Sequence, residues 1–172
     1  MDVGLNSGIY KFLLVLHLIT VVVGFGAVML NGVYAARAKK TGGHEGLAIA
    51  EANTFVSDRV AELFIYAVPV FGILLILVSD EVWGFDQTWI SLSFLLYFIG
   101  IGLSHGLLRP TVKKLNALTA QLAAAGPMPS AGGPPPEVAE VEALGKRAGA
   151  VGAVLNVIVV LVIFLMVWKP GL

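Results

Sequence analysis

Seven side chains that could do chemistry stand where apolar residues would be expected: His17, Asn31, Arg59, Glu62, Tyr66, His105 and Asn156. A histidine can carry a proton, or ligate haem through an imidazole nitrogen. Glutamate, tyrosine and histidine within reach of one another make a proton relay, and asparagine amides hydrogen-bond across helix contacts. The sequence shows no serine–histidine–acid order, no histidine pair at metal spacing and no phosphate-cradling loop, so neither a catalytic residue nor a metal site is assigned. "GFG" and "GIG" fall inside apolar runs and read as packing positions. His44, in the glycine-rich turn "KKTGGHEG", reads as a solvated loop residue. With no cysteine, disulfides, thiolate metal sites, covalent c-type haem and cysteine-held iron–sulfur clusters are excluded.

These residues need elements to position them, and composition says what kind. The chain of 172 residues is 58% hydrophobic and only 13% charged, far below the roughly 25% charged share of soluble domains. One domain of that size cannot hide so much apolar surface from water; it needs lipid. Net charge is zero, which leaves no nucleic-acid footprint. A bilayer core of about 30 Å takes about 20 apolar helical residues. Four stretches qualify, at 9–36, 60–79, 88–108 and 149–168. The expected fold is all-α, a polytopic bundle of four transmembrane helices forming a single domain over 1–172.

Nine basic residues (Arg37, Lys39, Lys40, Arg59, Arg109, Lys113, Lys114, Lys146 and Arg147) fall in the first and third connections. Only Lys11 and Lys169 fall on the other side, beside the acidic, aromatic loop "SDEVWGFDQT". The positive-inside rule then puts the basic connections in the cytoplasm and both termini on the extracytoplasmic side of a cell membrane. Trp83, Trp89 and Trp168 form an outer interfacial belt. The third connection, 109–148, carries helical stripes (Val112, Leu115, Leu118, Leu122; then Val138, Val141, Leu144) on either side of "GPMPSAGGPPP". It reads as a cytoplasmic helical hairpin with a flexible tip at 126–136, either a plain connector or a docking arm.

Helical spacing groups the intramembrane polar residues. On span one, His17, Thr20, Gly24, Ala27, Asn31 and Ala35 make one small-and-polar stripe; Ser93, Tyr97, Gly100 and Ser104 do so on span three. Span four offers Gly145, Gly149 and Ala153, and separately Ala148, Gly152 and Asn156. Such stripes are expected to face a shared interior, with Asn31 and Asn156 bonding between helices. At 1.5 Å per residue, His17 lies roughly 8 Å inside the outer boundary and His105 about 6 Å inside the inner one. In a core of about 30 Å they are then some 16 Å apart in depth, which disfavours one haem held by both. Two clusters result: His17, Thr20, Ser93 and Tyr97 outside; Asn31, Tyr34, Arg59, Glu62, Tyr66, Ser104, His105 and Asn156 inside. In the inner one Glu62 pairs with Arg59, three residues away, or accepts from His105.

The leucine–histidine pair of span one with the following "GFGAVML", the "RP" closing span three and the terminal "MVWKP" resemble an uncharacterised bacterial group of predicted integral membrane proteins with a domain of unknown function. The resemblance covers nearly the whole chain; it implies an architecture and no reaction. The early-helix histidine also distantly resembles protoporphyrinogen-oxidase-like and copper-resistance D-like membrane families. In the first of these, membrane histidines are tied to haem, which would make His17 the corresponding position.

The reading that follows is an integral membrane protein without an evident catalytic site, an accessory or scaffold subunit of a larger membrane complex or a homo-oligomer. A haem b- or quinone-binding redox protein using His17, with Met166 opposite, is one alternative. A small proton-linked transporter with Glu62, Tyr66 and His105 as inner relay and His17 as outer station is the other.

Overall fold

The computed structural model describes residues 3–125 and 135–171, and the regular elements among them are all helical. In chain order they are α1 (Gly8–Thr41), α2 (Gly43–Val56), a π turn (Ser57–Ala61), α3 (Glu62–Leu77), α4 (Thr88–Leu103), a second π turn (Ser104–Leu108), α5 (Arg109–Ala124) and α6 (Pro136–Trp168). The π turns do not interrupt the rods. The chain therefore makes four long helices, Gly8–Thr41, Gly43–Leu77, Thr88–Ala124 and Pro136–Trp168, each apolar and long enough to cross a membrane. The expected spans lie within them, except that 60–79 runs two residues past Leu77. Helices of 33 to 37 residues measure about 50–55 Å, some 20 Å more than a hydrocarbon core. Of the expected flexible tip, residues 126–134 lie outside the described residues, while Pro136 already opens α6.

The end that carries both termini is closed by polar and aromatic contacts. Ser7 caps α1, its Oγ accepting from the Tyr10 amide at 3.2 Å. Ser79, wholly buried, donates to the Ile76 carbonyl and accepts from the Trp83 amide, shaping the connection between α3 and α4. The Trp83 indole donates to the Tyr10 hydroxyl at 2.9 Å, and the Lys169 ammonium sits 4.1 Å from the Trp83 ring centre and 5.4 Å from that of Trp89. The expected tryptophan belt is thus also a clasp that ties the end of α6 to the α3–α4 connection.

At the opposite end Gly42 and Gly43, with φ of 67° and 55°, reverse the chain in a backbone region that side chains disfavour, and α2 runs back along α1. The helices pack in the order α3–α1–α6–α4 in the membrane half, while beyond it α5 lies on both α6 and α2. The extension is therefore wider than a two-helix hairpin: α2 joins it, with the Asn116 amide donating to Thr54 Oγ1 and Lys114 pairing with Glu140. The stripe of Val112, Leu115, Leu118 and Leu122 is half-buried within this layer.

The core is Phe25 against Val159 and Val162, ringed by Val21, Val28, Leu96, Ile158 and Met166. Large apolar side chains such as Val22, Leu77, Phe98 and Val167 point outward, as a lipid solvent permits. The small-residue stripes divide. Gly24 meets the Ile65 backbone and Gly100 meets Ile158 and Leu155, as expected of an interior face. Gly145, Gly149 and Gly152 of α6 meet no described neighbour. The reason is volume: Leu155, Val159, Val162 and Leu165 fill the space between α6 and its neighbours, which turns the small face of α6 outward.

A Cβ at position 24 would stand 3.0 Å from Ile65 Cγ1 and 3.1 Å from its amide nitrogen, whereas one at position 26 would meet open space. Gly24→Ala should therefore cost about 1–3 kcal/mol through overpacking. Gly26→Ala should stabilise by roughly 0.5–1 kcal/mol through helix propensity. Equilibrium unfolding in mixed micelles measures both signs.

Candidate functional site

Both π turns lie at one level, where side chains of the second and third long helices meet, and each delivers an ionisable residue from within it and another from its end. The first carries Asp58 and leads into Glu62; the second carries His105 and leads into Arg109. A π turn bonds i→i+5 and so holds more residues per turn than an α-helix, which brings residues four apart closer to one line. Asp58, Glu62 and Tyr66 thus face Ile101, His105 and Arg109 across the gap between α3 and α4. Arg109 grips Glu62 with both arms, Nη1 to Oε1 at 2.8 Å and Nη2 to Oε2 at 3.0 Å, and Nη2 also donates to Asp58 Oδ1 at 2.9 Å. The Tyr66 hydroxyl donates to Glu62 Oε1 at 2.6 Å and stands 2.8 Å from His105 Nε2. The other ring nitrogen of His105, Nδ1, donates to the Ile101 carbonyl at 3.1 Å. Measured by helical rise from the aromatic belt, Asp58 and Arg109 sit near the inner edge of a 30 Å core, with Glu62 and His105 about one turn deeper.

Toward the other face, polar groups meet helix carbonyls instead of one another. Pro69 has no amide hydrogen for the carbonyl of Ile65, and Tyr97 from α4 donates its hydroxyl there at 3.2 Å. One turn along, His17 Nδ1 donates to the Val68 carbonyl at 3.1 Å, its ring seated over Gly72. Thr20 bonds to the carbonyl of His17, and Ser93 to that of Trp89. His17, Ser93, Tyr97 and Met166 line a half-open cleft between α1, α3, α4 and α6 whose other walls include Phe25 and Phe94.

Residues 11–170 of the chain match a sequence family described as predicted integral membrane protein (DUF2269). The chain belongs to that family. No curated protein and no solved structure matches it. Membership places the DUF2269 chain in a lipid bilayer and, by its own description, assigns no reaction.

Of the inner residues anticipated from sequence, the structure brings Glu62, Tyr66 and His105 together. Arg59 stands apart: it is exposed, and among the described residues it makes no ion pair, while Arg109 takes Glu62. The π turn is the cause, because residues three apart are turned away from each other in it. Asn31 accepts from Ser57 at 3.0 Å, tying α1 to the first π turn. Asn156 is separate from the cluster, and its buried Oδ1 has no partner among the described residues. Tyr34 is exposed. Sequence reasoning passed over Asp58, and took Arg109 only as one of the basic residues of the third connection. The signal was present as the four-residue spacing of Asp58–Glu62–Tyr66 and of Ile101–His105–Arg109.

Met166 does share a cleft with His17, as the redox alternative requires. The enclosed space there is about 30 Å³, the share of one water molecule, whereas ligand sites of cofactor size run to roughly 300–1,000 Å³. The His17 ring is also packed against α3 instead of standing free in the cleft. These residues do not fit a haem.

Two outcomes follow. Arg109→Ala leaves two carboxylates facing each other at the membrane edge and should destabilise the protein by about 1–3 kcal/mol, between the exposed-pair and buried-pair ranges. The double variant with Glu62→Ala should recover part of that loss in the same unfolding assay. The gently solubilised protein should show no Soret band, oxidised or dithionite-reduced, and His17→Ala should lower stability without changing the spectrum.

Proposed function

We propose that this protein is an accessory or scaffold subunit of a larger membrane complex, seated in a cell membrane with both termini extracytoplasmic. The observation that carries the reading is the outward small face of α6. Gly145, Gly149 and Gly152 have open space above them, and Ala153 beside them is exposed. Gly152 and Ala153 lie about one turn inside the inner edge, where apolar surface alone does not drive association and a small face is where a second helix backbone can come close; Gly149 and Gly145 continue that face at the edge and beyond it. The conspicuous charged residues support it differently: Arg109, Asp58 and Glu62 are engaged with each other in bracing the second long helix against the third. Nine of the eleven basic residues lie toward the end opposite the termini, which supports the orientation.

A small proton-linked transporter is the second reading. Tyr97, bound to the Ile65 carbonyl between the levels of His105 and His17, is the observation that favours it.

The chain has no native cysteine, so single cysteines report cleanly. In membranes treated with a thiol-reactive cross-linker, Gly149→Cys should give one discrete adduct with a second, stoichiometric polypeptide. Val154→Cys, exposed on another side of α6, should not. Equal background at both positions overturns the scaffold reading, and a band at twice the chain's own mass replaces the larger complex with a homo-oligomer. An impermeant thiol reagent applied from outside should label Gly171→Cys and spare Lys39→Cys; the reverse pattern overturns the orientation.

A further inference from the structure

His105 occupies an unusual position among its neighbours. Its Nδ1 faces the Ile101 carbonyl at 3.1 Å, and a carbonyl can only accept, so Nδ1 carries a proton whatever the ring's charge. All variation is then confined to Nε2. Within 3.1 Å of that one nitrogen lie a pure donor, Arg109 Nη1 at 3.0 Å; a pure acceptor, Glu62 Oε1 at 3.1 Å; and a group that can be either, the Tyr66 hydroxyl at 2.8 Å. A bare Nε2 is satisfied by Arg109. A protonated Nε2 is satisfied by Glu62 and by the Tyr66 oxygen. A histidine held only for packing needs one of these sets; this one has both.

We propose that His105 is a proton-binding site which switches the brace between the second and third long helices. With the ring neutral, Asp58, Glu62 and Arg109 leave the cluster with one net negative charge, and Arg109 Nη1 bridges Glu62 and His105. A proton taken from the inner aqueous face onto Nε2 brings the cluster to neutrality. Nε2–H then donates to Glu62, and Arg109, facing a like charge at contact distance, withdraws onto Asp58 and Glu62 Oε2, where Nη2 already bonds. The brace shifts from the Arg109–Glu62 fork to a Glu62–His105 pair one turn deeper.

The surroundings carry the inference beyond the histidine itself. Among the described residues, the charged or titratable groups at the ring are Glu62 and Tyr66 from the second long helix and Arg109 from α5, with Asp58 on the far side of Arg109. The remaining neighbour, α6, is uncharged from Ala148 to Trp168, with Arg147 the nearest charged residue before that stretch. His105 and Tyr66 are exposed at the bundle surface about one turn inside the inner edge, so a proton arriving from that edge has only that short distance to travel to the ring. Both participating helices have a π turn at this level. Such turns are local departures from the α-helical ladder and occur often at functional sites, and here they give each helix a place to take up a small change in register. At the far end α2 lies against α5, so a change at the crossing is transmitted to a measurable pair of surfaces.

The test uses the full chain in lipid nanodiscs. Nitrogen-15 spectra of labelled histidine, with the His105 signal assigned by its loss in His105→Gln, are followed from pH 4 to 9. Spin labels at Ala52→Cys on α2 and Ala117→Cys on α5, both exposed, report the distance between the two helices. The expected result is one titration of Nε2, accompanied at the same midpoint by a change in the label distance. Glu62→Gln, which removes the carboxylate beside Nε2, and Arg109→Gln, which removes the competing cation, should each uncouple the label distance from the titration. Tyr66→Phe, which keeps the ring, is a second variant in which titration and distance change should both persist. Absence of titration at Nε2, a titration with no change in distance, or a distance change that survives in His105→Gln would each overturn the proposal.

Discussion

A proline at position 69 has no amide hydrogen to give the carbonyl four residues earlier, and the surrounding lipid offers no water in its place. Ile65 O must find a donor elsewhere, and Tyr97 supplies it from α4. The same stretch of α3 meets α1 at closest range: Gly24 lies on the Ile65 backbone, and His17 reaches the Val68 carbonyl over the bare surface of Gly72. One short segment thus receives one neighbour by backbone contact and two side chains by hydrogen bonds. The backbones of α3 and α4 themselves do not approach closely; Tyr97 spans the gap, and the small cleft beside it is what remains unfilled.

At the inner boundary the same gap is spanned by charge. Arg109 reaches Glu62 and Asp58 across it, and the two π turns set the register that lets residues four apart line up on both helices. An ion pair at this depth lies between the exposed and buried cases, so its contribution comes from geometry: a two-armed grip with a third bond, each within ordinary hydrogen-bond length. Beyond that level the helices continue for several turns as a layer in which α2 and α5 do meet. The charged crossing is therefore the point at which the second and third long helices change from being separated in the membrane to being packed outside it.

Lipid as solvent explains which surfaces are filled. Burying leucine gives little advantage when lipid is equally apolar, so contact is decided by shape and by polar groups that need partners. Phe25 with Val159 and Val162 fills the centre because these side chains interlock, while none of the described residues closes on the glycine face of α6.

The four spans and the apolar character of the chain were determined by the sequence alone, because hydropathy and helix length are local quantities. That Glu62, Tyr66 and His105 share a level was legible too, since helical rise converts position into depth. Which residues touch was another matter. Glu62 had Arg59 three residues away as an apparent partner, and a π turn, which no local pattern in "SDRVA" announces, turned that pairing off and delivered Arg109 instead. Asp58 carries no signal in the sequence beyond its four-residue spacing from Glu62. The outward face of α6 and the inward face of α1 carry the same small-residue signature; only the volumes contributed by neighbouring helices decided which was buried. The spacing of residues along a helix fixes a face and a depth, but the partner across the gap depends on rotation and register between helices. Those are set by all the contacts together and are written at no single position.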